Sequence, residues 1–202
     1  MQPTQPLKLA FLASSGGGSM RAIVAAIEAG TLAAEARLVV SNRREAPALV
    51  FATEHGIDAR FIPTVPDAHR ADTTLLTALR EAGADLVVLS GYLRRVGPWT
   101  LRGYAGRILN IHPALLPKYG GQGMYGMAVH TAVAAAGERV SGATIHLVDG
   151  EYDHGATLAQ AEVALSAGDD AATIQAKVSA IEPDLFVETL RRIAGGTLAL
   201  PR

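Results

Sequence analysis

Asn110 and His112 stand one residue apart in "GRILNIHPALLPKYGGQG" (106–123), at the end of an apolar run and directly ahead of Pro113. Residues i and i+2 of a β-strand point to the same face, so this spacing predicts an amide and an imidazole projecting together from a strand end. An amide N–H is a fixed donor, and an imidazole donates in the right tautomer or when protonated. Such a pair suits a carbonyl oxygen that gains negative charge during nucleophilic attack. A polar strand terminus with a hydrogen-bonded histidine has the same spelling. Pro113 and Pro117 stiffen the chain that follows.

Two further segments could do chemistry. "SSGGGSMRAI" (14–23) sits between an apolar run and a helical pattern. Glycines there let backbone N–H groups approach an anion, and a helix N-terminus adds partial positive charge. A flexible turn needs no ligand, but the place of this one, in the first βα connection, favours phosphate. Gly16, Gly17 and Gly18 are adjacent, so no G-x-G-x-x-G can be written, and no Walker lysine follows. "HLVDGEYDHG" (146–155) brings Asp149, Glu151 and Asp153 into one turn with His146 and His154. These are metal-ligand types, although the D-x-E-x-D spacing lacks the rest of a calcium loop. A solvated acidic turn fits equally, as does a carboxylate acting as general base or orienting a catalytic histidine.

The surrounding pattern explains how such residues would be positioned. "LKLAFLAS" (7–14) is an apolar run broken only by Lys8 near its start and closed by Ser14, as expected of a strand buried on both faces. Helical spacing follows over 20–32, a strand over 35–42, a helix over 46–56, a strand over 57–64, a helix over 71–83 and a strand over 84–92. This alternation predicts a doubly wound, mostly parallel α/β sheet with ligands outside the carboxyl ends of the strands. Beyond residue 104 the rhythm changes. A strand over 106–112 and a helix over 124–136 precede an antiparallel pair, 142–149 with 156–165, and a closing helix from 170 to 196 that Pro183 should kink or break.

Composition narrows the function classes. The 18 Lys and Arg against 19 Asp and Glu leave a formal net charge of -1, with no long-range field to attract nucleic acid or an acidic membrane. The absence of cysteine excludes disulfides, thiolate metal sites and cysteine nucleophiles. The apolar start runs into the glycine turn without the pattern of a signal peptide or membrane span, so a soluble cytoplasmic protein is expected.

Taken with "SNRREAPAL", "DLVVLSGYLRRV" and "LVDGEYDHGATLAQ", these segments resemble the phosphoribosylglycinamide formyltransferase family, from about residue 7 to about 195. The N-I-H-P-x-L-L-P block with a downstream D-x-G carries the resemblance. It implies a Rossmann-like formyltransferase fold with a C-terminal antiparallel extension, in a single domain, 1–202. Residues 1–104 would form the phosphate-binding half and 105–202 the catalytic and folate-binding half. The implied reaction moves a formyl group from 10-formyltetrahydrofolate, as co-substrate and without a metal, to the primary amine of glycinamide ribonucleotide in de novo purine biosynthesis.

The family's catalytic Asn, His and Asp fall on Asn110, His112 and Asp153, the Asp orienting His112 and assisting proton transfer. The resemblance assigns the ribonucleotide to Gly17, Gly18, Ser19 and Pro113, and its glycinamide end to Glu182. It lines the folate pocket with Leu93, Arg94, Val96, Asn110, Val148, Asp149 and Asp153, mostly through main chain. Many relatives have a hydroxyl residue and Asn where this chain has Gly18 and Ser19. "GGQGMYGMAVH" is longer than its counterpart in some members and leaves Tyr125 and His130 without a role, and Arg70 is out of register for the folate glutamate tail. Methionyl-tRNA formyltransferase and formyltetrahydrofolate deformylase carry further domains for which this chain is not expected to have residues. The expected partners are these two small molecules, not nucleic acid or membrane, and the expected state is monomer or homodimer.

Overall fold

The computed structural model describes residues 5–201, so the outermost positions of the expected domain, 1–4 and 202, lie outside the described residues. Strands β1 (Leu7–Leu12), β2 (Ala34–Ser41), β3 (Asp58–Phe61), β4 (Leu86–Leu89) and β5 (Ile108–His112) pair in parallel. β6 (Val140–Leu147) and β7 (Thr157–Ala164) extend them antiparallel, giving the order β3-β2-β1-β4-β5-β6-β7. The order grows outward from β1 in one direction and from β4 in the other. The carboxyl ends of β1 and β4 therefore flank the switch point at which such sheets bind ligands.

Helices cover both faces. Leu9 and Phe11 of β1 pack with Met20 and Ile23 of α1 (Gly18–Glu28) and with Phe186 and Leu190 of α6 (Ala171–Ala194). Ala10 and Leu12 face the other way, towards Leu75 and Leu79 of α3 (Ala68–Glu81). With each strand face sealed, no polar alternation survives in "LKLAFL".

The element bounds depart from the periodic pattern at several helix ends. α2 spans Pro47–Glu54, and α3 begins at Ala68, because the Asp67 carboxylate accepts the Arg70 N–H at 2.9 Å. α4 (Pro98–Gly103) was not expected: six residues are too few to show a period. It is held by the buried Asp72, whose carboxylate accepts from Trp99 N–H at 2.8 Å, Thr100 N–H at 3.0 Å and the Thr100 hydroxyl at 2.6 Å. A Cβ at Gly97 would lie 2.2 Å from the Asp72 carboxyl carbon, so the approach needs glycine. α5 (Met127–Ala135) starts after the Gly126 turn, not at 124. α6 runs unbroken through Pro183, and the expected break between two helices is absent. Ile174 and Val178 before it, and Phe186 and Leu190 after it, are all buried and anchor both halves.

Candidate active site

β5 lies between β4 and β6, with Asn110 opposite Leu89 on one side and His146 on the other, and His112 opposite Thr144. The i, i+2 spacing does bring the amide and the imidazole to one strand end. The chain leaving β5 is tied down by Thr144, whose hydroxyl donates to the Ala114 carbonyl at 2.6 Å and accepts the Leu116 N–H at 3.0 Å. Pro113 is half-buried in that stretch.

His112 is 3 % exposed. Its Nε2 lies 2.7 Å from the Tyr119 carbonyl oxygen, which can only accept, so Nε2 carries a proton. Nδ1 faces Asp153 Oδ2 at 3.4 Å. The same Oδ2 accepts the Gly121 N–H at 3.0 Å, and Oδ1 lies 3.5 Å from His146 Nε2. Tyr119 and Asp153 adopt positive φ, 57° and 55°, a conformation that costs a non-glycine residue about 1–3 kcal/mol and concentrates at functional sites. A Cβ at Gly120 would sit 2.5 Å from the end of the Leu116 side chain and 3.2 Å from the Asp153 Cβ, so a side chain there would push on both.

The electrostatics follow from burial and pairing. Burial pushes the His112 imidazolium below the usual histidine range, partly offset by the Asp153 charge and the Tyr119 carbonyl. Burial would raise the Asp153 carboxyl, but His146, His112 and the Gly121 N–H together outweigh it and hold it below the usual carboxylate range. At neutral pH the centre is a carboxylate beside a neutral imidazole, poised to take up a proton. Glu182, on α6, is pushed up to about 7 by burial alone.

The glycine turn lies at the carboxyl end of β1. Gly17 is left-handed (φ 65°), and a Cβ there would meet the Met20 side chain at 2.9 Å. The first N–H groups of a helix have no intrahelical acceptor. Ser90 takes that of Met20 at 3.0 Å, and those of Gly18 and Ser19 have no hydrogen-bond partner among the described residues. The Ser14 hydroxyl donates to Asn42 at 2.6 Å and accepts the Leu93 N–H at 2.8 Å, tying the turn to the loop after β4.

That loop borders a cavity of about 720 Å³, whose lining includes Val40, Ile62, Tyr92, Arg94, Val96 and Gly150. Arg94 and Val96 thus meet the pocket, whereas the Leu93 side chain is 63 % exposed and the half-buried Val148 packs against the core beside it. Asp149 is exposed and turned to its own loop, accepting the Glu151 N–H at 2.8 Å and facing His154 at 3.5 Å. Its acidic neighbours do not converge on one point, and among the described residues no group of three or more His, Asp or Glu could hold a metal ion.

The sequence reading counted His146 only among the metal-ligand types of the acidic turn, and it gave no role to the Tyr119 carbonyl or the Gly121 N–H. No local spacing pairs His146 with Asn110, because that match depends on the β5–β6 register. The structure leaves Tyr125 67 % exposed and His130 buried.

A doubly wound, mostly parallel sheet with a glycine turn after its first strand, a cavity beside the loop after β4 and an amide and imidazole at the end of β5 facing a loop carboxylate defines a Rossmann-like α/β protein. The chain belongs to the formyl transferase family, whose sequence model matches residues 7–190. It is 39% identical over 188 residues to the chloroplastic phosphoribosylglycinamide formyltransferase of Vigna unguiculata, covering 92% of this chain and 60% of that one. With the Escherichia coli K12 phosphoribosylglycinamide formyltransferase it shares 32% over 196 residues, covering 96% and 90%. The solved glycinamide ribonucleotide transformylase 1 of Symbiobacterium toebii superposes with a TM-score of 0.89 at 30% identity, covering 98% and 92%. The chain spans about 60% to 65% of the length of the plant relatives.

Proposed function

We propose that this chain transfers the formyl group of 10-formyltetrahydrofolate to the amine of glycinamide ribonucleotide, a step of de novo purine biosynthesis. The observation that carries the reading is the convergence of Asn110, His112 and Asp153, with Asp153 held as a carboxylate between two buried histidines. The substrate amine attacks the formyl carbon and a C–N bond forms. The formyl oxygen becomes an oxyanion, met by an Asn110 N–H and by the charge of His112 once protonated. Asp153 takes the proton released by the amine, through water, and directs it to the folate nitrogen as the old C–N bond breaks. Formate equivalents, protons and electrons balance without a metal or a redox partner.

The folate ring system belongs in the cavity beside Arg94, Val96 and the 148–153 loop, with Leu93, Val148 and Asp149 contributing main chain. The apolar walls and few polar groups of that cavity suit a planar heterocycle. The ribonucleotide phosphate meets Gly17, Gly18 and Ser19, Pro113 borders the sugar and Glu182 faces the glycinamide end. Residues 1–202 act as one domain, 1–104 holding phosphate and 105–202 supplying the chemistry. Partners are these small molecules rather than nucleic acid or membrane, and the protein works in the cytoplasm as monomer or homodimer. Among the described residues, no helix is long and apolar enough to cross a membrane.

The test is an assay of purified protein with both substrates, following deformylated folate and formylated ribonucleotide together. Equal formation of the two, dependent on the ribonucleotide, supports the reading. Folate deformylation without the ribonucleotide, or no reaction, overturns it.

A further inference from the structure

His146 is 2 % exposed and lies opposite Asn110 across the β5–β6 ladder. Its Nδ1 is 2.9 Å from the carbonyl oxygen of Leu147. A carbonyl can only accept, so Nδ1 carries a proton. Its Nε2 is 3.0 Å from Asn110 Nδ2, an atom with donors and no acceptor, and 3.5 Å from Asp153 Oδ1. With the single proton of the neutral ring held at Nδ1, Nε2 presents its lone pair to the nearer of the two, the Asn110 N–H. These two bonds fix the imidazole in the Nδ1–H tautomer, and the imidazole in turn fixes which edge of the Asn110 carboxamide is N–H and which is oxygen. The second Nδ2 hydrogen and the oxygen of Asn110 have no protein partner among the described residues.

We infer that His146 is a positioning residue. It acts through Asn110, holding the carboxamide so that an N–H rather than the oxygen is offered to the reacting formyl oxygen. The two ends of a carboxamide are nearly equal in size, so steric packing alone discriminates poorly between its two orientations. The flipped amide would set an acceptor against a developing oxyanion, turning attraction into repulsion. The Leu147 carbonyl supplies the discrimination: with Nδ1 committed to it, only the N–H edge of Asn110 can satisfy Nε2. The inference rests on Asn110 serving as an oxyanion donor.

The experiment combines a spectroscopic and a kinetic arm. ¹⁵N NMR of histidine-labelled wild-type protein at pH 7.5, with the His146 signals identified by their loss in His146→Gln, should show a protonated Nδ1 and an unprotonated Nε2. A protonated Nε2 overturns the inference. In turnover, His146→Leu should lower kcat about 10- to 100-fold, the scale of a misplaced catalytic group, with both KM values within about threefold of wild type. His146→Gln, whose Oε1 can replace the Nε2 acceptor, should recover about tenfold of that loss. His146→Asn, too short to reach Asn110, should recover none. In an Asn110→Ala background His146→Leu should cost less than about twofold, because residues that act through one another are not additive. Full additivity there, or rescue by Asn instead of Gln, overturns the inference. Wild-type activity in Asn110→Ala alone would remove the donor reading itself, while the tautomer measurement would still report on His146. The NMR arm uses the wild-type fold and so stands even where a leucine variant fails to fold.

Discussion

Glu182 gives the most quantitative consequence of the structure. Burial on α6 pushes its carboxyl from an ordinary 4.5 up to about 7, with no compensating partner. Each tenfold change in proton affinity is worth about 1.4 kcal/mol, so ionising Glu182 in the folded protein costs about 2 to 3 kcal/mol after allowing for its partial exposure. Its folded pKa lies above its unfolded one, so between about pH 4.5 and 7 the native state binds more protons than the unfolded state. Its stabilising contribution is complete below about pH 4.5 and is lost as pH rises through 7. Glu182→Gln keeps the shape and removes the charge. In urea unfolding the variant should match wild type at pH 4.5 and exceed it by about 2 to 3 kcal/mol at pH 8.5. Comparing the two proteins at each pH cancels every other titration. An equal difference at both pH values would mean that Glu182 ionises as it does in water, and the burial argument would fail. If Glu182 meets the amine end of the ribonucleotide, binding should favour its carboxylate. Calorimetry at pH 6 in buffers of different ionisation enthalpy should then detect proton release that Glu182→Gln abolishes.

Other substitutions probe separate parts of the site. Asp153→Asn keeps the Gly121 contact but cannot accept a proton, and should lower kcat by at least about 100-fold in a protein that still folds; wild-type turnover would remove Asp153 from the mechanism. Gly17→Ala must adopt φ near 65° and press on Met20, so it should cost about 1 to 2 kcal/mol in denaturant unfolding and weaken ribonucleotide binding measured by calorimetry. Asp72→Ala strips the N-terminal cap of α4 and leaves the buried Thr100 hydroxyl only its longer bond, 3.3 Å, to the residue 72 carbonyl. It should destabilise by about 2 to 4 kcal/mol, whereas Asp72→Asn should lose less because one oxygen still accepts.

Much was legible along the chain because the physics involved is local. The apolar run of β1 from Leu9 to Leu12 follows from burial on both faces, and the glycine turn from a left-handed backbone at Gly17. The shared direction of Asn110 and His112 follows from the twofold repeat of a strand. The lack of cysteine removed whole classes of chemistry at a glance. What stayed hidden depends on pairings between distant residues. Asp72 caps a helix that begins 26 residues later, and Tyr119 reaches back to His112 through its backbone carbonyl, which any residue type would possess. Of the kink or break expected at Pro183, the break does not occur, because tertiary burial on both sides outweighs the local penalty of one proline. The residue types fixed which chemistry was available to this protein. Only the β5–β6 register and the turn of the 148–153 loop decided that Asp153 faces two histidines while Asp149 faces solvent, because register and loop closure are settled by contacts that no local spacing encodes.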